Sequence, residues 1–257
     1  MKISVIIPTF NREKHLKNCL SSLLIQTKKP HEILIIDNSD NYYAKKVVNI
    51  FEEQFKLQNI SLYYFKNSIN SGAIARNLGV SKAKGDLIAF LDDDVLLDLN
   101  YYEEIEKVFL KYPTALGVHG YNKLVDNSYQ KMKNSFIQSL IYKFEKFFMS
   151  SSFYEDNQSR VLPSLCVTNP TPSCFISIVQ SEWVSTCAGV FHKAVFSKFS
   201  FEKQFMKYSW NEYLDFSYSI FKKNKKSLFV TPQAKYIDVA TNDGRIPSKE
   251  LIYMSEV

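Results

Sequence analysis

Apolar residues recur along this chain in two alternating rhythms. Residues 3–7, 32–36 and 60–65 are short apolar runs, β-branched or aromatic, and read as strands, the first two buried. Between the first two, Leu16, Cys19, Leu20, Leu23 and Leu24 fall at helical spacing within 13–25, and 42–56 reads as a second helix. Strand, helix, strand, helix, strand predicts a right-handed doubly wound unit. Pro8 is expected to end the first strand and Asn11 to cap the helix after it.

Gly72 allows a turn, and 73–81 then looks helical. Residues 87–91 form another continuous apolar run, a central parallel strand by pattern, leading straight into Asp92, Asp93 and Asp94. Further on, Asn100 should cap a helix over 101–111, 116–121 reads as a strand, and 212–223 as a helix. Two short strands are expected at 227–230 and 235–239. Residues 134–149 form a Phe-rich amphipathic helix with Lys143 and Lys146, which either packs on the domain or lies in a membrane interface. Residues 150–180, with Pro163, Pro170 and Pro172, read as a long loop or flap. The expected class is α/β: a Rossmann-like, mostly parallel sheet with helices on both faces.

Size and composition narrow the picture. With 257 residues, 46% hydrophobic and 23% charged, the chain is globular, one large domain or a domain with an appendage. The net charge of +6 suits phosphates or an anionic membrane surface and establishes neither. Cys19, Cys166, Cys174 and Cys187 lack CxxC spacing and read as buried free thiols in a reducing compartment. No leader is apparent, and no apolar run approaches the ~18 residues of a spanning helix. A cytoplasmic protein is expected, one able to visit the inner face of a membrane.

In doubly wound folds, ligands bind beyond the carboxyl ends of strands, which singles out loops 8–12, 37–40 and 66–77. Neither GxGxxG nor a P-loop occurs in them. If the chain stays extended past 91, Asp92 and Asp94 share a side and Asp93 faces away. Hard carboxylate oxygens there suit Mg²⁺ or Mn²⁺, especially with a substrate's phosphates in the shell; the other reading is a solvated acidic loop. Arg76, near a helix start, has use as partner to a phosphate or to the triplet, or is a surface arginine. Glu212 and Asp215 lie three apart in a first helical turn, where the dipole alone accounts for acids.

Taken together, residues 5–12, 32–39, 75–79, 85–94, 183–191 and 212–218 resemble family 2 of the inverting glycosyltransferases, which have the GT-A fold. The likeness spans about residues 3–240. It implies a catalytic domain over 1–240, with a nucleotide-binding half at 1–115, an acceptor-binding half at 116–240, and a tail at 241–257 that could be truncated. It implies that Thr9 and Asp37 contact the base and ribose of a nucleotide-sugar donor, a UDP-sugar by weak preference. Pro8, Asn11, Arg12 and Asn38 belong to the same donor-binding loops. Arg76 would hold the nucleotide or the triplet, Asp92 would meet the ribose with Asp93 beside it, and Asp94 would bind the metal. Asp238 stands about where many members carry a metal-binding histidine. The family's Glu-Asp pair is here Glu212-Tyr213, so Glu212 is the first choice for general base and Asp215 the second. The implied acceptor is a hydroxyl of a cell-surface glycan or lipid-linked precursor, with possible peripheral membrane contact; no nucleic-acid partner is expected. Competing readings are a nucleotidyltransferase, whose glycine- and lysine/arginine-rich N-terminal loop is missing here, and a silent glycan- or partner-binding fold, suggested by Tyr213.

Overall fold

A computed structural model describes residues 1–124, 140, 154–155, 159–163, 165–170, 172, 175–207 and 211–239. The predicted helix at 134–149, the tail at 241–257 and much of 150–180 lie outside the described residues. Strands β1 (Ile3–Thr9), β2 (Glu32–Asp37) and β3 (Ser61–Lys66) alternate with helices α1 (Glu13–Leu24) and α2 (Tyr43–Leu57). Helix α3 (Gly72–Lys82) leads to β4 (Leu87–Phe90) and β5 (Val95–Leu97), followed by α4 (Tyr101–Lys111) and β6 (Gly117–Asn122). The small pair β7 (Tyr154–Glu155) and β8 (Asn169–Pro170) stands apart from the main sheet. Strands β9 (Val179–Ser181) and β10 (Val190–His192), helix α5 (Glu212–Lys223) and β11 (Leu228–Asp238) complete the described elements.

The main sheet runs β3-β2-β1-β4-β10-β6-β11-β5, with β9 on β11. Strands β3 through β4 are parallel; β10 enters antiparallel between β4 and β6. The period-2 alternation of side chains sorts the interior into two cores, one on each face. Ile3, Val5, Ile7, Ile33, Ile35 and Ala89 pack under α1, α2 and α4. Ile6, Leu34, Ile36, Ile88 and Phe90 pack under α3 and α5. Gly79 lets α3 sit hard against β1, since a Cβ there would collide with the Ile6 side chain.

Three local expectations change. Pro8 does not end β1, which continues to Thr9, because on this strand Pro8 and Thr9 still register against Ile36 and Asp37. Asn11 is not the cap of α1: it takes φ 55°, and Arg12 occupies the cap position with no side-chain cap bond. The two strands expected at 227–230 and 235–239 are one strand, β11, whose register against β6 shifts between Val230 and Lys235. Pro232 lies in that shift, where its missing N–H does least harm.

Candidate active site

The loops after β1, β2 and β4 come together at one end of the sheet. Asn38 donates its backbone N–H to Thr9 O (2.9 Å) and accepts from Asn67 through its side chain (2.7 Å). Asn11 gives its N–H to Ser39 Oγ (2.8 Å), and Asn41 donates to Asn11 Oδ1 (2.6 Å). Asp37 is fully buried and accepts from Ser39 N–H, the Tyr64 hydroxyl and Lys66 Nζ. Its carboxylate therefore braces this loop from behind.

The triplet is not extended. Val95 N–H closes a turn onto Asp92 O (3.1 Å), so the predicted alternation of side chains does not hold. Asp93 and Asp94 both reach Arg12 Nη1, at 3.1 and 2.8 Å, while Asp92 pairs with Arg76 Nη2 at 2.8 Å. Thr9 Oγ1 also donates to Asp93 (2.6 Å). Burial pushes the Asp93 carboxyl up to about 7, against the pull of Arg12 and Thr9. Asp92 is the most accessible of the three, its side chain 29% exposed where those of Asp93 and Asp94 are 5% and 7%.

Arg76 is 6% exposed and bridges two carboxylates: Nη2 meets Asp92, and Nη1 meets Glu212. It is thus no surface arginine. Burial opposes its charge, but Glu212 and Asp92 outweigh that, and its pKa is raised. Glu212, at the first position of α5, is 5% exposed. Burial raises its pKa in spite of Arg76, and the Ala73 N–H also donates to it. Its Oε2 is buried and has no hydrogen-bond partner among the described residues. Asp215 lies one turn on and is exposed; burial and Glu202 raise its pKa, and Lys222 opposes them. The structure brings Glu212, and not Asp215, to the arginine that grips the triplet.

Strand pairing carries Asp238 to the same end. It sits opposite Val95, and Val239 N–H donates to Asp94 O (3.0 Å). Cys187 lies between, close enough that Asp92 and Asp238 add to the burial that raises its thiol pKa. Asp92, Asp93, Asp94 and Glu212 thus meet Arg12 and Arg76, and Asp238 is carried to the same end; carboxylate oxygens of this kind suit a hard cation. Among the described residues no three His, Cys, Asp or Glu side chains are grouped so as to hold a metal ion. A metal at this end would need a diphosphate and water to complete its shell.

The chain matches the profile described as "Glycosyl transferase family 2" over residues 4–167. It belongs to glycosyl transferase family 2. An uncharacterized glycosyltransferase of Rickettsia felis is 34% identical over 173 residues, covering 66% of this chain and 24% of that protein. The poly(ribitol-phosphate) beta-glucosyltransferase of Bacillus spizizenii is 32% identical over 98 residues, 37% of this chain and 15% of that protein. The matches thus span well under half the length of these curated relatives. Among solved structures, S. aureus TarS 1-349 in complex with UDP-GlcNAc superposes with a TM-score of 0.64 at 15% identity, covering 95% of this chain and 60% of that one. GalNAc-T7 with UDP, GalNAc and Mn²⁺ gives 0.66 at 16% identity, covering 95% and 45%. At that identity the likeness establishes the fold, GT-A.

In this family 2 chain the sequence reading passed over one neighbourhood. His119, on β6, is 3% exposed and lies 4.9 Å from the ring of Trp183, which in turn packs 5.9 Å from Tyr213. Tyr213, in place of the second acid, thus joins an aromatic wall beside Glu212. A lone histidine between Val118 and Gly120 carries no sequence signal; only the fold pairs it with Trp183. Of the thiols expected to be buried, Cys19 is buried, Cys166 and Cys187 are partly covered, and Cys174 lies outside the described residues. Among the described residues no helix is long and apolar enough to cross a membrane.

Proposed function

We propose that this protein is a metal-dependent, inverting glycosyltransferase. It would move a sugar from a nucleotide-sugar donor to a hydroxyl of a cell-surface glycan or its lipid-linked precursor. The observation that carries this reading is a buried carboxylate, Glu212, with one oxygen unpartnered among the described residues and joined through Arg76 to Asp92, the first acid of a triplet at a strand end. The donor class is supported by TarS bound to UDP-GlcNAc, and the acceptor class by the poly(ribitol-phosphate) relative.

Glu212 Oε2 takes the proton of the acceptor hydroxyl. That oxygen bonds to the anomeric carbon on the face opposite the leaving group, inverting its configuration. The bond from carbon to diphosphate oxygen breaks, and its electron pair leaves with the nucleoside diphosphate. Burial raises the Glu212 pKa, the direction a general base requires. Asp94 and Asp238 would hold Mn²⁺ or Mg²⁺, with Asp92 toward the ribose. A bound ion supplies charge neutralisation of the departing diphosphate. Thr9, Pro8, Asn11, Arg12 and Asn38 shape the nucleoside side of the cleft, and Asp37 keeps that loop in place.

A panel of nucleotide sugars with Mn²⁺, read by nucleotide release and mass of the product, tests this. A UDP-sugar is expected to turn over with release of UDP. Release of pyrophosphate, or no turnover of any donor, would overturn the assignment. In a Glu212→Gln variant, transfer should drop by ~10²–10⁴-fold while UDP still binds.

A further inference from the structure

Arg76 has two candidate employments, the donor's phosphates or the protein's own acids. The side-chain geometry separates them. Nη1 is committed to Glu212 and Nη2 to Asp92, and the guanidinium lies 5.9 Å over the Phe201 ring. The residue is 6% exposed, much as Glu212 is at 5%, and Nε is buried without a partner among the described residues. The triplet's other two carboxylates are served by a different arginine, Arg12.

Glu212 is held on more than one side. Arg76 takes Oε1, Ala73 N–H donates to the carboxylate, and the missing side chain at Gly72 leaves room for the whole group. A carboxylate fixed in this way keeps one orientation, with Oε2 left over. Holding a reacting group within a fraction of an ångström is worth a great deal: a misplacement of ~1 Å can cost ~10²-fold in rate.

We infer that Arg76 is a positioning residue for the general base and does not hold the nucleotide. It fixes Glu212 so that Oε2 meets the acceptor hydroxyl, and through Asp92 it ties that geometry to the donor end of the cleft. The inference rests on the transferase reading given above.

The test uses the full chain, UDP with Mn²⁺ as the binding probe, and whichever nucleotide sugar the wild type turns over. Arg76→Met should lower kcat by roughly 10²-fold, with the Kd for UDP changed by a much smaller factor, passed on only through the freed Asp92. Arg76→Lys, which keeps the charge should the methionine variant fail to fold, should lower kcat by a smaller factor and again spare UDP binding. In a Glu212→Gln background, Arg76→Lys and Arg76→Met should add almost nothing, since there is no longer a base to orient. Loss of UDP affinity in Arg76→Lys with kcat unchanged would overturn the inference and make the arginine a nucleotide ligand. So would losses that multiply in the double variants. Failure of the wild type to release nucleotide from any donor is a separate result, seen before any variant is made; it removes the transferase reading and this inference with it.

Discussion

A methyl group at position 72 would stand 2.8 Å from Glu212 Oε1 and 2.9 Å from Arg76 Nη1. Neither partner is free to retreat, because both are buried and each is bonded to the other. Gly72→Ala should therefore destabilise the protein by ~1–3 kcal/mol, the usual cost of forcing atoms into a filled space, and lower transfer more than UDP binding. Thermal denaturation and the nucleotide-release assay read both; an unchanged Tm would contradict the packing described. At the triplet, the proposed function predicts that Mn²⁺ raises UDP affinity and that Asp94→Asn abolishes most of that gain, measured by calorimetry with and without metal, while leaving the fold intact. At this scale the sequence disclosed residue types well and geometry poorly. Three adjacent acids after an apolar run are plain from the letters alone, and the structure draws them to Arg12 and Arg76. That Asp93 and Asp94 share Arg12 while Asp92 turns to Arg76 follows from the turn closed by Val95, which no periodicity encodes. Arg76 was legible as a partner for the triplet, and it does bond to Asp92; its second acid, Glu212, lies 136 residues away and had no local signal.

The element that carries Glu212 is fastened by aromatic packing. Phe216, 1% exposed and one turn along α5, stacks on Phe201 at 4.2 Å and on Phe196 at 5.6 Å, and meets Phe191 edge-on at 5.2 Å. Phe216→Ala should cost ~3–5 kcal/mol in urea denaturation, through lost transfer energy and the cavity left behind. A loss below ~1 kcal/mol would mean that α5 is held by something else. Elements whose signals are local were legible to the residue: Tyr101–Lys111 and Glu212–Lys223 match their predicted spans. Elements defined by partners were not. Residues 227–230 and 235–239 read as two strands, yet β6 on one side, with β9 and β5 on the other, keeps β11 continuous through an irregular register. Asp238 reaches the triplet only because of that continuity.

Across the whole molecule, His119 lies in the sheet beneath Trp183 with its Nε2 buried and without a partner among the described residues. Burial lowers its pKa from 6.5 to about 3, so the folded protein keeps it neutral. The unfolded chain takes up a proton below about 6.5 and the folded one does not, so this group's contribution to stability is present above 6.5 and is lost as pH falls toward 3. His119→Phe should accordingly show a smaller drop in urea midpoint between pH 7 and pH 5 than wild type; equal drops would show that the imidazole is not insulated. The α/β class and the helices on both faces were readable from period-2 and period-3.6 patterns. The order of the second half of the sheet was not, since β10 is three residues long and its neighbours come from far away in sequence.

That placement has a consequence during synthesis. Residues 87–90 emerge from the ribosome about a hundred residues ahead of 190–192, the segment that completes their hydrogen bonds on one side. At roughly 5–20 residues per second the nascent chain carries that apolar edge uncovered for about 5–20 seconds. Until the late segment arrives the half-made sheet is open to pairing with a neighbouring nascent copy, so slowing translation over this interval should increase aggregation.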